Sequence, residues 1–340
     1  MIYFRRTSIV KNEKIFELNI SDKAESLAKK YGYLPYMVQR YYEIFRDWNE
    51  VILFLEGNEK PLPRSIRCNT LRIDCSVLEE KMTKKGIILE KINWLPHGYR
   101  VRKSLLPIGA THEYLRGYYH IQGAASMIPP LVLDPRPEEL VLDMAAAPGS
   151  KTTYIAQLME NNGVIVAVDK DRRRVRALLS NINRLGVTNT LIIRINALNL
   201  DKVFRIRFKK ILLDAPCTGE GLIPLLPERK TSRALEDIKV LSKLQTSLLI
   251  TAFNLLDSGG ILIYSTCSIA PEENEYVILK ALEKYHGPNI ELIPINISIG
   301  TNGLDEYNKV YFGKEFRKCK RLYPYLHGTE GFFIAKMRKK

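Results

Sequence analysis

The chain has 340 residues, of which 46% are hydrophobic and 26% charged, a composition that predicts a globular protein and excludes a fibrous or disordered one. No apolar run approaches the roughly 20 residues that a membrane-spanning helix requires, so we expect no membrane partner. Lys and Arg outnumber Asp and Glu by 52 to 37, which leaves a net charge of +15 and favours a polyanionic partner.

The N-terminus and the cysteine spacing indicate the compartment. The first 14 residues contain no apolar core or cleavage site of a signal peptide, which predicts a cytoplasmic protein. No two cysteines are spaced as CxxC, so the sequence indicates neither a disulfide framework nor a zinc site, and no metal is expected. We therefore predict five free thiols, at Cys68, Cys75, Cys217, Cys267 and Cys319.

Residues 1–125 are predicted to form a small α+β accessory module. Helices are predicted within 22–56 and at 75–85, and strands at 65–73 and 86–92. Several Gly and Pro residues break the periodicity between Gly109 and Pro137. This break places the domain boundary there and assigns residues 126–340 to a catalytic domain.

From about residue 138 the chain alternates short apolar runs with helical periodicity. This alternation predicts an α/β fold with a mostly parallel sheet covered on both faces. The predicted strands are 140–144, 164–169, 190–196, 210–216, 261–267 and 331–339. Helices are predicted at 152–159 and at 272–285, and a further long helix ends at a turn at 257–260. Another helix follows the second strand, and its apolar side consists of Val175, Leu178, Leu179, Ile182 and Leu185.

Small residues follow the first of these strands, at the edge where open parallel sheets bind ligands. Asp143 ends the strand, and the loop and helix start that follow are Ala145, Ala146, Ala147, Pro148, Gly149, Ser150 and Lys151. Such a loop lets a ligand approach the backbone. Asp169 closes the next strand, where an acid can accept hydrogen bonds from a ribose diol; a capping Asp is the alternative. The loop lacks GxGxxG, which argues against NAD.

Two further strand ends carry one cysteine each, Cys217 after Asp214-Ala-Pro and Cys267 after Ser-Thr. If the strands are neighbours, both thiols face one cleft. A single cysteine is more often a small buried hydrophobe, but two at this edge favour nucleophilic chemistry. Because a thiol has an ordinary pKa of about 8.5, the site must stabilise a thiolate. Lys151 or the start of the helix after Pro271 is expected to supply that field.

The strings QGAASM, VLDMAAAPGSKTT, LLDAPCTGEG, GGILIYSTCSIAPEENE and HGTEGFFIAKM occur in this order. They resemble the Nol/Nop/Sun family of RNA 5-methylcytosine methyltransferases, and the resemblance covers roughly residues 65–340. The signals around Pro216-Cys217 and Thr266-Cys267 are highly specific. The resemblance implies a Rossmann-like class I methyltransferase core, S-adenosyl-L-methionine as cofactor and RNA as substrate. The module at residues 1–125 is then expected to bind RNA, through its shape and phosphates more than through its bases.

The resemblance also implies a role for the residues at the strand ends. Cys267 corresponds to the nucleophile that adds to carbon 6 of cytosine, which enables carbon 5 to attack the sulfonium methyl. Asp214 corresponds to the acid that holds the base edge and supplies a proton to its ring nitrogen. Cys217 corresponds to the cysteine that assists removal of the carbon-5 proton and product release. Lys151 lies near the base and thiols, and Asp169 holds the cofactor ribose.

The cofactor site that the resemblance implies departs from the family pattern at two positions. Its residues are Asp143, Ala145, Ala146, Ala147, Pro148, Gly149, Ser150, Lys151, Asp169, Lys170, Arg174, Asn196 and Asp214. Ser150 stands where the family usually has a glycine, and Asn196 where it usually has an acid near the adenine. We therefore expect altered cofactor affinity rather than lost binding.

Other functions remain open on the sequence alone. A methyltransferase that acts on an exocyclic amine usually carries Asn/Asp-Pro-Pro-Tyr at the fourth strand and needs no thiol. A non-catalytic RNA-binding or assembly factor suits the charge surplus, and DNA enzymes of this chemistry use the Pro-Cys cysteine as nucleophile. Within the leading interpretation, transfer RNA is favoured slightly over ribosomal RNA, and a monomer is expected.

Overall fold

A computed structural model describes residues 14–340. The prediction that the N-terminus is no signal peptide therefore falls almost entirely outside the described residues. Among the helices within 14–340, none combines the length and apolar character needed to cross a membrane.

Three helices and a four-stranded antiparallel sheet form the first part of the described chain. The elements are α1 (Asp22–Tyr31), α2 (Pro35–Phe45), α3 (Trp48–Asn58), β1 (Ser65–Cys68), α4 (Cys75–Thr83), β2 (Ile88–Lys91), β3 (Gly98–Lys103), α5 (His112–Leu115) and β4 (Tyr119–Ile121), with strand order β2-β3-β1-β4. The helical stretch predicted at 22–56 is divided into three because Gly32 and Arg46 adopt left-handed backbone conformations, with φ of 75° and 57°.

Cys68 and Cys75 form a disulfide, so the prediction of five free thiols is wrong. Cys68 ends β1 and Cys75 begins α4, and the turn between them brings their Cα atoms to 5.8 Å, a separation that a disulfide spans. Their sequence separation of 7 matches no CxxC pattern, which is why spacing alone did not indicate the pair. Cys217, Cys267 and Cys319 are free.

A second, larger sheet and its covering helices form the rest of the chain. The elements are α6 (Ile128–Leu133), β5 (Leu140–Asp143), α7 (Ser150–Leu158), β6 (Val164–Asp169), α8 (Arg172–Leu185), β7 (Thr190–Arg194), α9 (Leu200–Val203), β8 (Phe208–Asp214), α10 (Leu235–Leu255), β9 (Leu256–Thr266), α11 (Glu275–Lys284), β10 (Ile290–Leu292), β11 (Thr301–Asn302), β12 (Glu306–Tyr307), β13 (Val310–Tyr311), β14 (Lys320–Leu322), α12 (Pro324–His327) and β15 (Phe332–Lys339).

Five parallel strands occupy one side of this sheet in the order β7-β6-β5-β8-β9. β15 pairs antiparallel with β9, and β14, β11 and β10 complete the sheet beyond it. The predicted α/β fold with a Rossmann-like core is confirmed. The direction of strand progression reverses between β5 and β8, and open sheets of this kind bind ligands beyond the carboxyl ends at that point. Asp143 and Asp214 end these two strands.

The two faces of the large sheet carry separate apolar layers, because successive side chains of a strand point to opposite faces. Leu142 and Ile211 belong to the layer that contains residues of α10 and α11, whereas Val141 and Leu212 belong to the layer that contains residues of α6, α7 and α8. The buried side of α8 is narrower than predicted, since Leu179 is 48% exposed.

The turn predicted at residues 257–260 lies inside a strand. α10 ends at Leu255 and β9 already begins at Leu256. Gly259 has a φ of 72°, and the pairing of β9 with β8 shifts register between Phe208 and Lys210. The chain therefore reverses directly from helix to strand and absorbs the turn residues as an irregularity in the ladder.

Candidate active site

The two cysteines at the strand ends lie in one cleft, as the sequence predicts for neighbouring strands. β8 and β9 pair in parallel, with Asp214 opposite Ser265, so the segments that follow them leave the sheet side by side. The Sγ atoms of Cys217 and Cys267 are 3.1 Å apart, and both residues are partly exposed. This pair forms one wall of the cleft.

The surroundings of Cys217 favour its protonated form. The hydrogen bond with Cys267, burial, and the negative charges of Glu273 and Asp214 raise the pKa of the Cys217 thiol well above its usual range. Cys217 therefore keeps its proton at neutral pH and can donate S–H to the sulfur of Cys267. The thiolate-stabilising field predicted for the helix start after Pro271 is wrong for Cys217, because that segment carries the carboxylate of Glu273.

Asp214 is fixed by two donors. The Nζ of Lys151 donates to Oδ2 at 2.6 Å, and the Oγ of Ser265 donates to Oδ1 at 2.7 Å. The side chain of Lys151 is only 12% exposed, and its ammonium lies 5.5 Å from the ring centroid of Phe332. Lys151, predicted as a source of field for the thiols, thus forms an ion pair with Asp214 in the same cleft.

One short segment, which leads into the start of α11, holds the loops that contain Cys217 and Cys267. Its four buried residues are Glu272, Glu273, Asn274 and Glu275. The Glu273 carboxylate accepts hydrogen bonds from the N–H of Thr218 (2.9 Å), from its hydroxyl (2.6 Å) and from Nε2 of Gln245 (3.1 Å). Asn274 accepts a bond of 2.6 Å from the hydroxyl of Thr266. The segment therefore fixes the residues next to Cys217 and Cys267.

The sequence analysis did not single out Glu273 and Asn274 as functional residues, although it quoted them in the string that ends in PEENE. The available signal was a run of polar residues directly after an apolar strand end. Such a run is ordinarily exposed, and only the partners contributed by Thr218 and Thr266 make it suitable for burial.

Asp143 lies at the buried end of β5 and retains an unsatisfied acceptor. Its Oδ2 accepts a hydrogen bond of 2.8 Å from the hydroxyl of Thr152, whereas Oδ1 is buried without a partner. Burial raises the pKa of Asp143 to about 7. An orphaned carboxylate oxygen at a ligand-binding edge suits a ligand that brings a hydrogen-bond donor.

The small-residue loop after β5 packs closely against α8. Gly149 has a φ of 106°, and an added Cβ there would stand 2.8 Å from a methyl carbon of Leu178. The guanidinium of Arg174 donates to the carbonyl of Ala147, and Nδ2 of Asn181 donates to that of Pro148 at 3.0 Å. Ala145 and Ala146 precede this contact. Position 149 thus has no room for a side chain.

Ser150 begins α7 and connects the loop to the small sheet. Its hydroxyl lies 2.8 Å from Nε2 of His120, next to β1, and its carbonyl accepts a bond of 2.7 Å from the buried guanidinium of Arg67. A glycine at position 150 would lack the hydroxyl that contacts His120, so Ser150 has a structural role here.

The remaining predicted cofactor residues lie at the ends of β6 and β7. Asp169 is buried, and its Oδ1 accepts a hydrogen bond of 2.9 Å from the N–H of Asp171, while Oδ2 lies 3.6 Å from Arg174. Lys170 follows it and is exposed. Asn196 is exposed beyond β7, and its Oδ1 accepts a bond of 3.1 Å from the N–H of Leu198. The parallel strands thus bring these residues to the same edge of the sheet as Asp143.

Two family models cover most of the chain. Residues 130–338 match the 16S rRNA methyltransferase RsmB/F model, and residues 34–124 match the model of the N-terminal domain of 16S rRNA methyltransferase RsmF. The chain belongs to the RsmB/F methyltransferase family. The predicted resemblance is thereby confirmed at the level of the family.

Individual relatives agree with this assignment. The 28S rRNA (cytosine-C(5))-methyltransferase of Mus musculus is 41% identical over 94% of this chain, which spans only 40% of that enzyme's length. The tRNA (cytosine(49)-C(5))-methyltransferase of Pyrococcus abyssi is 38% identical over 82% of this chain and 89% of its own length. The crystal structure of a methyltransferase homolog from Pyrococcus horikoshii aligns with a TM-score of 0.83 and 42% identity, covering 94% of this chain and 100% of that one. The class I methyltransferase fold is confirmed.

Proposed function

We propose that this chain is an S-adenosyl-L-methionine-dependent RNA (cytosine-5)-methyltransferase that forms a covalent bond between a cysteine and the target base. The observation that supports it most directly is the pair of thiols, 3.1 Å apart, at the carboxyl ends of adjacent parallel strands. An amine methyltransferase needs no such pair. Family membership and the names of the relatives favour the same chemistry.

Cys267 is the proposed nucleophile and Cys217 its proton partner. Because Cys217 retains its proton, it can donate a hydrogen bond that stabilises negative charge on the sulfur of Cys267. The Cys267 thiol first gives its proton to solvent, and its sulfur then bonds to carbon 6 of the cytosine while the ring nitrogen gains a proton. The electron pair displaced to carbon 5 takes up the methyl group. The carbon-5 proton then passes to the sulfur of Cys217 as that thiol gives its own proton to a water molecule. The ring nitrogen returns its proton, and the carbon–sulfur bond breaks to release 5-methylcytosine and the Cys267 thiolate.

Asp214 and Lys151 are proposed to hold the edge of the pyrimidine. Addition at carbon 6 places electron density on the ring nitrogen, which must then gain a proton. The Lys151 ammonium donates to Asp214 at 2.6 Å, so the pair contains both a carboxylate that can contact the base edge and a proton donor behind it. Ser265 holds the second carboxylate oxygen and keeps the pair oriented.

The loop after β5 fits the cofactor. S-Adenosyl-L-methionine carries an ammonium group, and the unpartnered Oδ1 of Asp143 is a buried acceptor suited to it. Asp169 is positioned to accept hydrogen bonds from a ribose diol, and Lys170, Arg174 and Asn196 border the same edge. When bound, the cofactor supplies an electrophilic methyl group. The chain's own residues hold it and keep its surroundings dry.

The class of RNA remains a separate proposal. The two relatives described above are named as acting on 28S rRNA and on tRNA, and a net charge of +15 suits either polyanion. We keep transfer RNA as the predicted substrate, with ribosomal RNA as the alternative. The cytoplasmic location and the monomeric state also stay predictions.

The test is incubation with total cellular RNA and S-adenosyl-L-methionine labelled in its methyl group, followed by nucleoside analysis and bisulfite mapping. Label in 5-methylcytidine is the expected result, and the mapped position identifies the RNA class. Label in another nucleoside would overturn the mechanism. Cofactor binding without any label in RNA would favour the non-catalytic RNA-binding factor instead.

A further inference from the structure

A groove of about 150 Å³ runs between the small sheet and the proposed active site. It is open at one side, and none of the proposed catalytic or cofactor-binding residues lines it. Five parts of the chain line it, which are residues 62–65, Arg100, residues 121–124, Leu225 and residues 328–330.

The groove adjoins the cleft of the two cysteines. Leu225 lies on the segment that follows Cys217, and Glu330 lies two residues before Phe332, whose ring contacts the Lys151 ammonium. Glu330 also interacts electrostatically with Lys151. A nucleic acid strand whose target base enters the cleft would therefore place a neighbouring nucleotide at the groove.

The groove offers guanidinium groups, one of which keeps an unused hydrogen-bond donor. Arg64 and Arg100 both line it, and the Nε of Arg100 is buried and lacks a hydrogen-bond partner. Guanidinium groups bind phosphate oxygens through paired N–H donors, and a buried unsatisfied donor gains most from such a ligand. A phosphodiester of the bound strand has the matching chemistry.

The opposite wall offers an acceptor. Glu330 is only 7% exposed, and its Oε2 accepts a hydrogen bond of 3.2 Å from the N–H of Ala125. Its carboxylate occupies the space of an absent side chain, because an added Cβ at Gly123 would stand 1.3 Å from Oε1. Carboxylates read the amino and imino hydrogens of bases. Ile121 and Leu225, 36% and 46% exposed, provide apolar surface for the base itself.

We propose that this groove binds the nucleotide next to the target cytosine, with Arg100 on its phosphate and Glu330 on a hydrogen-bond donor of its base. The inference rests on the proposed function. It specifies single-stranded RNA, because the groove holds one unstacked nucleotide and the target base must itself leave its stack. The enzyme would then discriminate among RNAs by the base beside the methylated cytosine.

The experiment uses short single-stranded RNAs that contain the mapped cytosine and differ only in the base on one side of it, then on the other. Arg100→Gln is expected to raise KM for RNA about tenfold and to lower kcat much less, the loss of one charge-assisted hydrogen bond. Glu330→Gln is expected to change the preferred base at one neighbour. Arg102→Gln is the matched control, because Arg102 lies on the same strand and pairs with Glu90 outside the groove.

The inference is overturned if Arg100→Gln keeps the wild-type KM for RNA and Glu330→Gln keeps the wild-type preference at both neighbours while the wild-type protein forms 5-methylcytidine. That result leaves the proposed function intact. If Glu330→Gln does not fold, wild-type protein is photo-crosslinked to RNA that carries 4-thiouridine beside the target. Crosslinks within 121–124 or 328–330 support the groove. Crosslinks confined to other segments contradict it.

Discussion

The two thiols of the cleft are close together but differ in their neighbours. Cys217 lies near the carboxylate of Glu273, which opposes its ionisation, whereas Cys267 can accept the hydrogen bond that Cys217 can donate. A donor and an acceptor sulfur are what a nucleophile and its proton partner require. The proposed roles therefore predict opposite phenotypes for the two alanine variants.

Cys267→Ala is expected to lower the methylation rate by a factor on the order of a thousand or more, because it removes the attacking atom. Affinity for the cofactor and non-covalent affinity for RNA should change little, since this sulfur is proposed to contact only carbon 6 of the target base. Turnover of labelled methyl groups, cofactor titration and RNA gel shifts check the three parts. Cys319→Ala, a change at a buried free thiol outside the cleft, is the control, and methylation that survives in Cys267→Ala would refute the assignment.

Cys217→Ala is expected to accumulate a covalent protein–RNA adduct. The bond from Cys267 to the base can still form, but the proton at carbon 5 has lost its route out, so release stalls. A band that resists denaturation and disappears after nuclease treatment identifies the adduct. Rapid turnover without an adduct would show that Cys217 has no part in release.

Asp143 predicts a pH dependence of cofactor binding. Burial raises its pKa to about 7, so the carboxyl is neutral below that pH and ionised above it. We expect affinity for S-adenosyl-L-methionine to rise as pH increases through about 7, because only the carboxylate attracts the ammonium group. Calorimetric titration across this range should show Asp143→Asn binding more weakly by about 1–3 kcal/mol at high pH and without this dependence. Asp134→Asn, at an exposed surface pair, is the control, and an identical pH profile in Asp143→Asn would place the ammonium elsewhere.

Among the secondary-structure elements, those with strong local signals were predicted well. β6 spans the predicted residues 164–169, and β15 differs from its prediction by one residue. Both begin directly after a glycine, Gly163 and Gly331, a residue that is disfavoured within strands. Whether the strands before Cys217 and Cys267 are neighbours could not be predicted from the sequence, and the parallel pairing of β8 with β9 is what brings the two cysteines together.

Features that depend on the geometry of a turn or on distant partners could not be predicted from the sequence. The Cys68–Cys75 disulfide requires the turn between β1 and α4, which no spacing rule encodes. The turn at 257–260 has ordinary turn chemistry, yet pairing with β8 draws it into β9. Glu273 looks like a solvent-exposed acid until Thr218 and Gln245 are placed against it. In the last two cases tertiary contacts override the local preference.

Glu273→Gln tests whether the segment before α11 positions the cysteines. A Gln amide cannot accept all three hydrogen bonds that the carboxylate accepts, so the loop after Cys217 should loosen. We expect unfolding free energy to fall by about 1–3 kcal/mol and the single-turnover rate of adduct formation to fall about tenfold. Glu283→Gln, which removes one partner of the exposed Lys280–Glu283 ion pair on α11, is the control.

A positioning role and a purely structural one give different results for Glu273→Gln. If the carboxylate only stabilises the fold, the adduct rate measured well below the unfolding transition equals that of the wild type. If it positions Cys217 and lowers its acidity, the rate and its pH profile both change, while cofactor affinity does not. Unchanged kinetics with lowered stability would therefore contradict positioning.

Across the whole molecule, the N-terminal helices are joined to the catalytic loops by a buried ion-pair network. Arg40 of α2 is fully buried, contacts Glu220 on the loop after Cys217, and lies 3.3 Å from Glu272. The apolar layer around α1–α3 also includes Ile223 and Ile269 from the catalytic part of the chain. The proposed division at residue 125 therefore does not separate two independent cores.

The buried ion pairs of Arg40 predict a loss of stability in Arg40→Met. Removing the guanidinium leaves Glu220 and Glu272 buried without their cation, which costs about 3–5 kcal/mol. Arg46→Met, at an exposed pair with Glu43, should cost less than about 1 kcal/mol. Urea unfolding, followed by far-ultraviolet circular dichroism and by fluorescence of the two tryptophans, measures both values.

The same experiment tests cooperativity, because Trp48 and Trp94 both lie in the first 125 residues whereas most of the helix signal comes from the rest. Since buried contacts of Arg40 and the shared apolar layer link the two parts, we expect both probes to report one coincident transition in the wild type. Arg40→Met should move both transitions to lower urea together, or separate them with the fluorescence change first. A wild-type fluorescence transition that precedes the dichroism change would show that the N-terminal part unfolds independently. Arg40 would then not couple the unfolding of the N-terminal helices to that of the loops that carry the cysteines.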